Sequence, residues 1–285
     1  MKWRIPAKTF LLGEYAALAD LGAIILTTLP CFELTLTDTP GLDGIHPDSP
    51  AGRWWVKAGD QHYGLHWHDP LSHCGGMGAS SAQFVGAYWA SAFLNHHTPA
   101  QDEILKAYWQ CAWQGKGLRP SGYDVLAQSS LSSQMSDELP ACLSIHRRDD
   151  RLDSYSWPFR DLVFIIAHTG DKLATHHHLF NTTLLDDVER LDALVSMAHH
   201  ALIQLDTQAL VDAVNGYHQA LMSMNRVAKH TQQLMSNLRG QPGLLAIKGC
   251  GAMGADALIC LTTLEGVPGI QNCLREMNLQ VLARS

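Results

Sequence analysis

The sequence predicts an α+β fold with two domains, a β-rich α/β domain followed by a second α/β domain. The first observation is an apolar, β-branched run at residues 23–37, which is typical of strands. The second is a pair of long helical stretches at 182–205 and 207–238. The third is the polar segment 149–161, where Pro158 interrupts regular structure and favours a domain boundary.

The first domain is expected to span residues 1–155 and to begin with strands. Because proline has no backbone N–H, we interpret the β-branched run as paired strands broken at Pro30. The Asp, Pro, Gly and Ser residues of 38–52 predict a loop. Aromatic and apolar residues in 53–68 predict a hairpin that turns at 58–60.

Helices are predicted after these strands. Residues 80–94 are small and apolar, and 99–114 begin with Pro and acidic residues before an apolar stripe. The second domain, expected at 156–285, starts with the apolar strand 162–167 and has another strand at 257–261. The two long helical stretches lie between those strands.

The composition is typical of a globular protein, with 46% hydrophobic and 16% charged residues. The formal net charge is -7 and the basic residues are not clustered, so neither nucleic acid nor a membrane is an expected partner. No run approaches ~18 apolar residues, and the N-terminus lacks the apolar core of a signal peptide. We therefore expect a soluble, cytoplasmic protein. A small-molecule partner is also expected, with a monomer or homodimer as the oligomeric state.

Cysteine and histidine are both frequent. The 7 cysteines show no CxxC pair, and we interpret them as reduced, mostly buried thiols. The 16 histidines include clusters at 66–68, 176–178 and 199–200. None of these clusters has the ligand number and spacing of a zinc site, so we interpret them as surface and loop residues.

Three stretches of small residues occur in a fixed order: PAKTFLLGEY at 6–15, GGMGASSA at 75–82 and KGCGAMGAD at 248–256. Glycines in the middle stretch let backbone N–H groups approach a ligand, and the apolar run that follows predicts a helix. The N-terminus of a helix favours an anion through its unpaired N–H groups and its dipole. The middle stretch is therefore a candidate phosphate site, although it matches neither a P-loop nor a dinucleotide-binding motif.

Together these stretches resemble the GHMP kinase superfamily over nearly the whole chain. GMGASSA matches the family's GLGSSAA without a gap, and KGCGAMGAD is similar to its K…GAGGGD loop. The opening PGK…GEH/Y pattern is matched by Pro6, Ala7, Lys8, Gly13 and Glu14. The resemblance implies a two-domain GHMP kinase fold, with a ferredoxin-like C-terminal domain and the active site in the cleft between the domains.

A fourth stretch indicates the branch of this superfamily. AWQGKGLRPSGYDV at 112–125 resembles the AQGKxGSGFDV stretch of phosphomevalonate kinases, with two extra residues between Lys116 and Ser121. Its PSG at 120–122 is similar to the shorter HGxPSGxD stretch of mevalonate kinases. The resemblance implies a kinase of the mevalonate pathway that uses ATP and Mg²⁺ and acts on 5-phosphomevalonate. Mevalonate kinase, or another small-alcohol kinase of the superfamily, is the alternative.

Two catalytic residues follow from the resemblance. Asp124 is expected to accept a proton from the acceptor, and Lys8 is expected to lie beside it and offset charge on the transferring phosphoryl group. Kinases of this kind act by positioning and charge neutralisation. Taken without the resemblance, an Asp after a Ser-Gly turn is more often structural, and a lone Lys is more often a surface charge.

The nucleotide contacts implied by the resemblance lie mainly in the two glycine-rich stretches. Ser80 is the expected hydroxyl ligand of Mg²⁺, and helix capping is compatible with the same position. Met253 and Ala255 stand where relatives have glycine, and a side chain there is expected to forbid a positive φ. The other candidates are Gly76, Met77, Gly78, Ala79, Ser81, Lys116, Gly251, Ala252 and Gly254.

Acceptor contacts are also implied by the resemblance. Either Lys116 or Arg119 is expected to meet a phosphate on the acceptor. Glu14 fits a site residue and a structural ion pair equally well. The remaining candidates are Ser121, Gly122, Thr175 and His176.

One departure from the family concerns the metal. Gln110 stands where mevalonate kinases place a Glu ligand of Mg²⁺, and an amide brings no charge to such a site. This residue, with Met253 and Ala255, keeps open a different class of function, a GHMP-fold ligand sensor with weak catalysis. Diphosphomevalonate decarboxylase shares the fold, but its acceptor loop differs from SGYDV.

Overall fold

The computed structural model describes residues 1–71, 74–131, 141–170 and 187–285. Within these ranges ten strands form two sheets, against which eight helices pack. The strands are β1 (Lys2–Leu12), β2 (Ala23–Thr37), β3 (Gly41–Asp43), β4 (Gly64–His68), β5 (Ala141–His146), β6 (Arg151–Ser156), β7 (Leu162–His168), β8 (Leu244–Cys250), β9 (Ala257–Thr263) and β10 (Val281–Arg284). The helices are α1 (Pro50–Ala58), α2 (Ala79–Leu94), α3 (Gln101–Ala112), α4 (Tyr123–Leu131), α5 (Val188–Gln204), α6 (Thr207–Ser223), α7 (Lys229–Leu238) and α8 (Val267–Glu276).

The first sheet has six strands in the order β3-β4-β2-β5-β6, with β1 paired to β2 off this path. The second sheet has four strands in the order β10-β7-β9-β8, and its pairs are antiparallel. The strands predicted at 162–167 and 257–261 are confirmed as β7 and β9, the two central strands of this sheet. The helices predicted at 80–94, 99–114 and 182–205 are confirmed as α2, α3 and α5 over the part that is described.

The long strand β2 is continuous, so the predicted break at Pro30 is wrong. β2 pairs with β5 through 23–27 and with β4 through 33–37. Between these segments the pairing of β2 with β1 is irregular, and Leu29 and Pro30 are exposed there. Pro30 lies between the segment of β2 that pairs with β5 and the segment that pairs with β4. Its missing N–H therefore removes no hydrogen bond to either strand, and β2 continues.

The hairpin predicted over 53–68 is wrong for the first half of this segment, which belongs to helix α1. The Ser49 side chain accepts a hydrogen bond from the backbone N of Gly52, and Pro50 occupies the first turn. Trp55 is buried in the core on the inner side of the helix. The cap and proline therefore begin a helix despite the aromatic residues, and the second half of the segment forms β4.

Three further boundaries differ from expectation. The loop predicted at 38–52 contains β3 and the start of α1. The polar segment 149–161 contains β6, which pairs with β5 along its whole length, because backbone hydrogen bonding does not depend on apolar side chains. The helical stretch 207–238 is divided into α6 and α7 near Asn225, whose φ of 54° ends a helix.

A shared core joins the two sheets. One cluster of buried apolar side chains includes Ile5 and Phe32 from the first sheet together with Phe164 and Ile259 from the second. The seven cysteines are free thiols, as the sequence predicted. The division of the chain between residues 155 and 156 falls inside this shared packing and stays a prediction.

A buried ion pair also connects the sheets. Glu14 follows β1, Lys248 lies in β8, and the Lys248 ammonium donates a hydrogen bond to the Glu14 carboxylate. Lys248 also donates to the carbonyl of Gly249 at 2.9 Å. Burial lowers the pKa of Lys248, but Cys250 and Glu14 raise it by more, so its pKa lies above the usual value. The first and third glycine-rich stretches are therefore held against each other by charge.

Replacing Lys248 by methionine is expected to lower the free energy of unfolding by about 3–5 kcal/mol, because Glu14 then stays buried without its counter-charge. The double variant Glu14→Gln, Lys248→Met should recover more than half of this loss, since no buried charge remains. Urea denaturation measures both effects. Lys106→Met removes an exposed pair with Asp102 and is the control; an equal loss in that variant would contradict this account.

Candidate active site

Lys8 and Asp124, the two predicted catalytic residues, lie next to each other. The Lys8 ammonium nitrogen Nζ is 4.0 Å from Asp124 Oδ2. Lys8 is 8% exposed and the Asp124 side chain is 25% exposed, so the ammonium is mostly buried while the carboxylate reaches the surface. Lys8 Nζ also lies 5.0 Å from the ring centre of Phe10, a favourable cation–π distance.

The start of helix α4 positions Asp124. Asp124 is in the first turn, and its Oδ1 accepts a hydrogen bond from the backbone N of Val125 at 3.0 Å. The preceding residue, Tyr123, is fully buried. Its hydroxyl donates to the carbonyl of Leu21 at 2.7 Å and accepts from the backbone N of Arg147 at 3.1 Å. Tyr123 therefore fixes the start of α4, and with it Asp124, to the segments that precede β2 and follow β5 of the first sheet.

Ser121 and Gly122 shape the turn that leads into α4. Gly122 has a φ of 75°, and a Cβ there would lie 2.2 Å from Leu105 Cδ1. Glycine is therefore required by both conformation and space. The Ser121 hydroxyl oxygen accepts a hydrogen bond from the backbone N of Tyr123 at 3.4 Å. Both residues orient Asp124, and their contact with an acceptor stays a prediction.

The middle glycine-rich stretch forms a loop before α2, which we call the phosphate loop (residues 75–78). Gly76 and Gly78 have φ values of 78° and 81°. The backbone N of Lys8 donates to the carbonyl of Met77 at 3.0 Å, which ties the loop to β1. α2 begins at Ala79 with Gly78 as its N-cap. Glycine has no side chain with which to cap the helix, so the first N–H groups can face an anion.

The two serines of α2 face different surroundings. Ser80 is exposed in the first turn, whereas Ser81 is buried and donates its hydroxyl to the carbonyl of Gly78 at 3.0 Å. Because Gly78 is the N-cap, the capping interpretation of Ser80 is wrong. The Ser80 hydroxyl is therefore open to a ligand, as the metal prediction requires.

The third glycine-rich stretch meets the phosphate loop at Asp256. A Cβ on Gly251 would lie 2.2 Å from Asp256 Oδ2, one on Gly75 would lie 3.0 Å from Asp256 Oδ1, and one on Gly76 would lie 3.1 Å from Asp256 Cβ. The Asp256 side chain is thus surrounded by glycines of two loops, and the residue is 4% exposed. Asp256 is not among the site residues predicted from the sequence, although it ends the KGCGAMGAD stretch.

The expectation that a side chain in this loop forbids a positive φ is wrong at Met253. Its φ is 55°, whereas Ala255 has a φ of -90°. The hydroxyl of Tyr15 donates to the Met253 sulfur at 4.0 Å, and the backbone N of Ala228 donates to its carbonyl at 2.9 Å. These contacts offset the roughly 1–2 kcal/mol cost of the left-handed conformation. The predicted Ala252 and Gly254 lie in the same 3-10 turn, Ala252–Gly254.

Glu14 is engaged in the ion pair with Lys248, which favours the structural interpretation of this residue over contact with an acceptor. Burial, followed by the charge of Glu14, raises the pKa of the neighbouring Tyr15 to about 12. The candidate acceptor residues Thr175 and His176 lie outside the described residues.

Arg119 is part of a clamp on the loop before α4, formed with Trp109, Arg147 and Asp20. The guanidinium of Arg119 lies 3.9 Å from the ring centre of Trp109, and that of Arg147 lies 4.8 Å from it. Both guanidinium groups pair with Asp20, at 3.2 Å for Arg119 and 2.7 Å for Arg147. One carboxylate serves two guanidinium groups, so the clamp keeps a net positive charge. The contact of Arg119 with an acceptor phosphate stays a prediction.

Two other predicted positions lie on the surface. Lys116 is exposed in the loop that precedes the clamp. Gln110 is exposed on α3, where its Oε1 accepts a hydrogen bond from Lys57 at 3.0 Å. The side-chain oxygen of Gln110 is therefore hydrogen-bonded to a lysine of α1, and Gln110 is not among the residues brought together around Lys8.

Other features of the described ranges do not indicate a competing site. A surface groove of about 480 Å³ contains none of the predicted site residues; it is lined by Arg4, Leu29, Pro30, Cys31, Glu33, His68 and Pro70. The described residues include no group of three or more His, Cys, Asp or Glu side chains arranged to hold a metal ion. In the same part of the chain, no helix has the length and apolar character needed to cross a membrane.

Comparison with known proteins identifies the fold. No protein-family model matches the chain, and no curated protein sequence matches it. Among solved structures, Streptococcus pneumoniae phosphomevalonate kinase in complex with phosphomevalonate and AMPPNP matches with a TM-score of 0.75 and 14% identity, over 100% of this chain and 99% of that one. Methanococcus jannaschii mevalonate kinase matches with a TM-score of 0.71 and 12% identity, over 100% and 97%. Lactococcus lactis galactokinase with galactose matches with a TM-score of 0.72 and 12% identity, over 100% and 91%.

These likenesses extend over the full chain, so the predicted two-domain GHMP kinase fold is confirmed. The low sequence identity means that only the fold is established by the comparison.

Gly251→Ala is expected to lower the free energy of unfolding by about 2–4 kcal/mol, because the new Cβ overlaps Asp256 and the backbone is left-handed. Gly269→Ala is the matched control, since it lies in α8 with open space around its Cβ position. That variant should gain about 0.5–1 kcal/mol from helix propensity. Chemical denaturation measures both, and similar values for the two variants would contradict the packing described for Asp256.

Proposed function

We propose that this chain is an ATP- and Mg²⁺-dependent kinase of the isoprenoid precursor pathway, and that its acceptor is 5-phosphomevalonate. The observation that carries the proposal is the pairing of Lys8 with Asp124 beside the phosphate loop at the N-terminus of α2. Fold likeness to kinases of mevalonate, phosphomevalonate and galactose supports the reaction class.

The proposed reaction is an in-line transfer. An oxygen of the acceptor forms a bond to the γ-phosphorus of ATP, the bond from that phosphorus to the β,γ-bridging oxygen breaks, and ADP leaves. Where the acceptor oxygen carries a proton, as in a hydroxyl or a monoprotonated phosphate, that proton passes to Asp124 Oδ2, because Oδ1 is already occupied by the backbone N of Val125. The Lys8 ammonium offsets negative charge on the transferring group.

The nucleotide phosphates are expected at the phosphate loop. Positive φ at Gly76 and Gly78 keeps side chains away from the backbone there, and the uncapped N-terminus of α2 presents N–H donors. Asp256 packs against the glycines of both loops, so its side chain fixes how closely the two backbones approach.

The residues present fit a metal ion held largely by the nucleotide. Ser80 presents an exposed hydroxyl in the first turn of α2, a ligand type that Mg²⁺ accepts beside phosphate oxygens and water. When bound, Mg²⁺ neutralises charge on the β- and γ-phosphates. Gln110 is hydrogen-bonded to Lys57 on the surface, so we assign it no part in metal binding.

The choice of acceptor rests on the loop before α4. The resemblance of GKGLRPSGYDV to phosphomevalonate kinases supports a phosphorylated acceptor, and exposed Lys116 is the cation most available to that phosphate. A second candidate is mevalonate itself. It is favoured by the pairing of Arg119 with Asp20, because this carboxylate partly offsets the charge of one of the two candidate cations for a phosphorylated acceptor.

Asp124→Asn is expected to lower kcat by about 10²–10⁴-fold, because an amide cannot accept the proton, while the Kd for ATP stays within about threefold. ADP release in a coupled assay measures kcat, and calorimetry measures ATP binding. Asp102→Asn, in the exposed first turn of α3, is the matched control and should keep wild-type kcat. Unchanged turnover in Asp124→Asn would remove this residue from the mechanism.

Lys116→Ala is expected to raise the KM for 5-phosphomevalonate about tenfold or more, with little change in the KM for mevalonate, because a charge-assisted contact to the acceptor phosphate is lost. Lys57→Ala is the control for an exposed cation. An increase in the KM for ATP instead would assign Lys116 to the nucleotide. If the wild-type protein forms no ADP with either acceptor, the pathway assignment fails.

A further inference from the structure

Gln128 connects the three segments that carry the candidate site. It lies in α4 and is fully buried. Its amide nitrogen Nε2 donates to the carbonyl of Pro6 at 2.9 Å and to the carbonyl of Gly78 at 3.2 Å. Pro6 is two residues before Lys8 in β1, and Gly78 is the N-cap of α2. One side-chain amide therefore joins β1, the phosphate loop and α4.

The same glycine contacts both Gln128 and Lys8. A Cβ on Gly78 would lie 2.6 Å from Lys8 Cε and 3.0 Å from Gln128 Nε2. The space beside Gly78 is therefore filled by the lysine stem and the glutamine amide. A shift of the amide changes the room available to the ammonium of Lys8.

Gln128 also shares a helix face with Asp124. Residues four apart in a helix lie one turn apart on the same side. Gln128 lies one turn after Asp124 in α4. Its amide is hydrogen-bonded to β1 and to the phosphate loop, the two segments that flank the Lys8–Asp124 pair.

We propose that Gln128 is a positioning residue that sets the distance between the Lys8–Asp124 pair and the phosphate loop. The kinetic part of this inference rests on the proposed kinase function. It adds a residue that touches neither nucleotide nor acceptor and that acts through the backbone carbonyls of Pro6 and Gly78.

Both carbonyl groups accept from the same amide, so its removal affects the strand and the loop together. Displacement of reacting groups by about 1 Å can cost on the order of 10²-fold in rate. A loss of alignment lowers kcat, whereas a loss of binding contacts raises KM or Kd. The kinetic pattern therefore separates positioning from binding.

Gln128→Met retains the volume of the side chain and removes the N–H donors. We expect kcat to fall about 10- to 100-fold, with the KM for the acceptor and the Kd for ATP within about threefold of wild type. Ser129→Ala is the control, because its hydroxyl donates within α4 to the carbonyl of Leu126 at 3.2 Å. A kcat within twofold of wild type in Gln128→Met, or an equal loss in Ser129→Ala, would overturn the inference.

Gln128→Glu supplies a second test through pH. A protonated carboxyl donates to one carbonyl, whereas an ionised one repels both. Burial and the Asp124 carboxylate one turn away raise the pKa of a carboxyl at this position, and the Lys8 ammonium lowers it, but a lower pH favours the donating form in every case. The ratio of kcat for Gln128→Glu to kcat for wild type should therefore increase as the pH falls. A ratio that is independent of pH would contradict a donor role.

Amide hydrogen exchange tests the inference independently of turnover. In Gln128→Met, exchange in residues 76–82 should be at least about tenfold faster than in wild type, and Ser129→Ala should show no such change. If wild type shows no kinase activity but this difference is found, the proposed function fails and the positioning role stands. Unchanged exchange in Gln128→Met would overturn the positioning role even in an active kinase.

Discussion

The arrangement of the site depends on the buried ion pair between Glu14 and Lys248. Glu14 follows the strand that carries Lys8, and Lys248 lies in the strand that leads to the third glycine-rich loop. The Lys248 side chain is fully buried and that of Glu14 is 11% exposed, so the loops can separate only at the cost of exposing or isolating a charge. A second contact also joins β8 to β1, because the Cys250 thiol donates to the carbonyl of Phe10 at 3.3 Å.

The other contacts of the site are built on this ion pair. With the sheets held together, Asp256 packs between the phosphate loop and the third loop, and the glycines on both sides leave room only for that side chain. The phosphate loop then lies against β1, where it confines Lys8, and Tyr123 anchors the start of α4 so that Asp124 faces the ammonium. Charge, close backbone packing and a helix N-terminus are thus combined at one edge of the first sheet.

The sequence predicted the parts of this site that reside in contiguous motifs. Lys8 and Asp124 are recognisable because each lies in a short pattern, whereas Gln128 lies outside every glycine-rich stretch and acquires its role only when three distant segments meet. The hairpin expected over 53–68 failed for a local reason, since the cap at Ser49 outweighs aromatic composition. Met253 shows the converse, because tertiary contacts stabilise a backbone conformation that its side chain disfavours.

The reaction proposed for these groups is the transfer of a phosphoryl group from ATP to a small acceptor. Phosphorus NMR of one sample containing the protein, ATP, Mg²⁺ and 5-phosphomevalonate tests it most directly, because donor and product are observed together. We expect the γ-phosphate signal of ATP to decline while ADP and a new diphosphate ester appear in equal amounts. Release of inorganic phosphate alone, or an unchanged spectrum with both 5-phosphomevalonate and mevalonate, would contradict it.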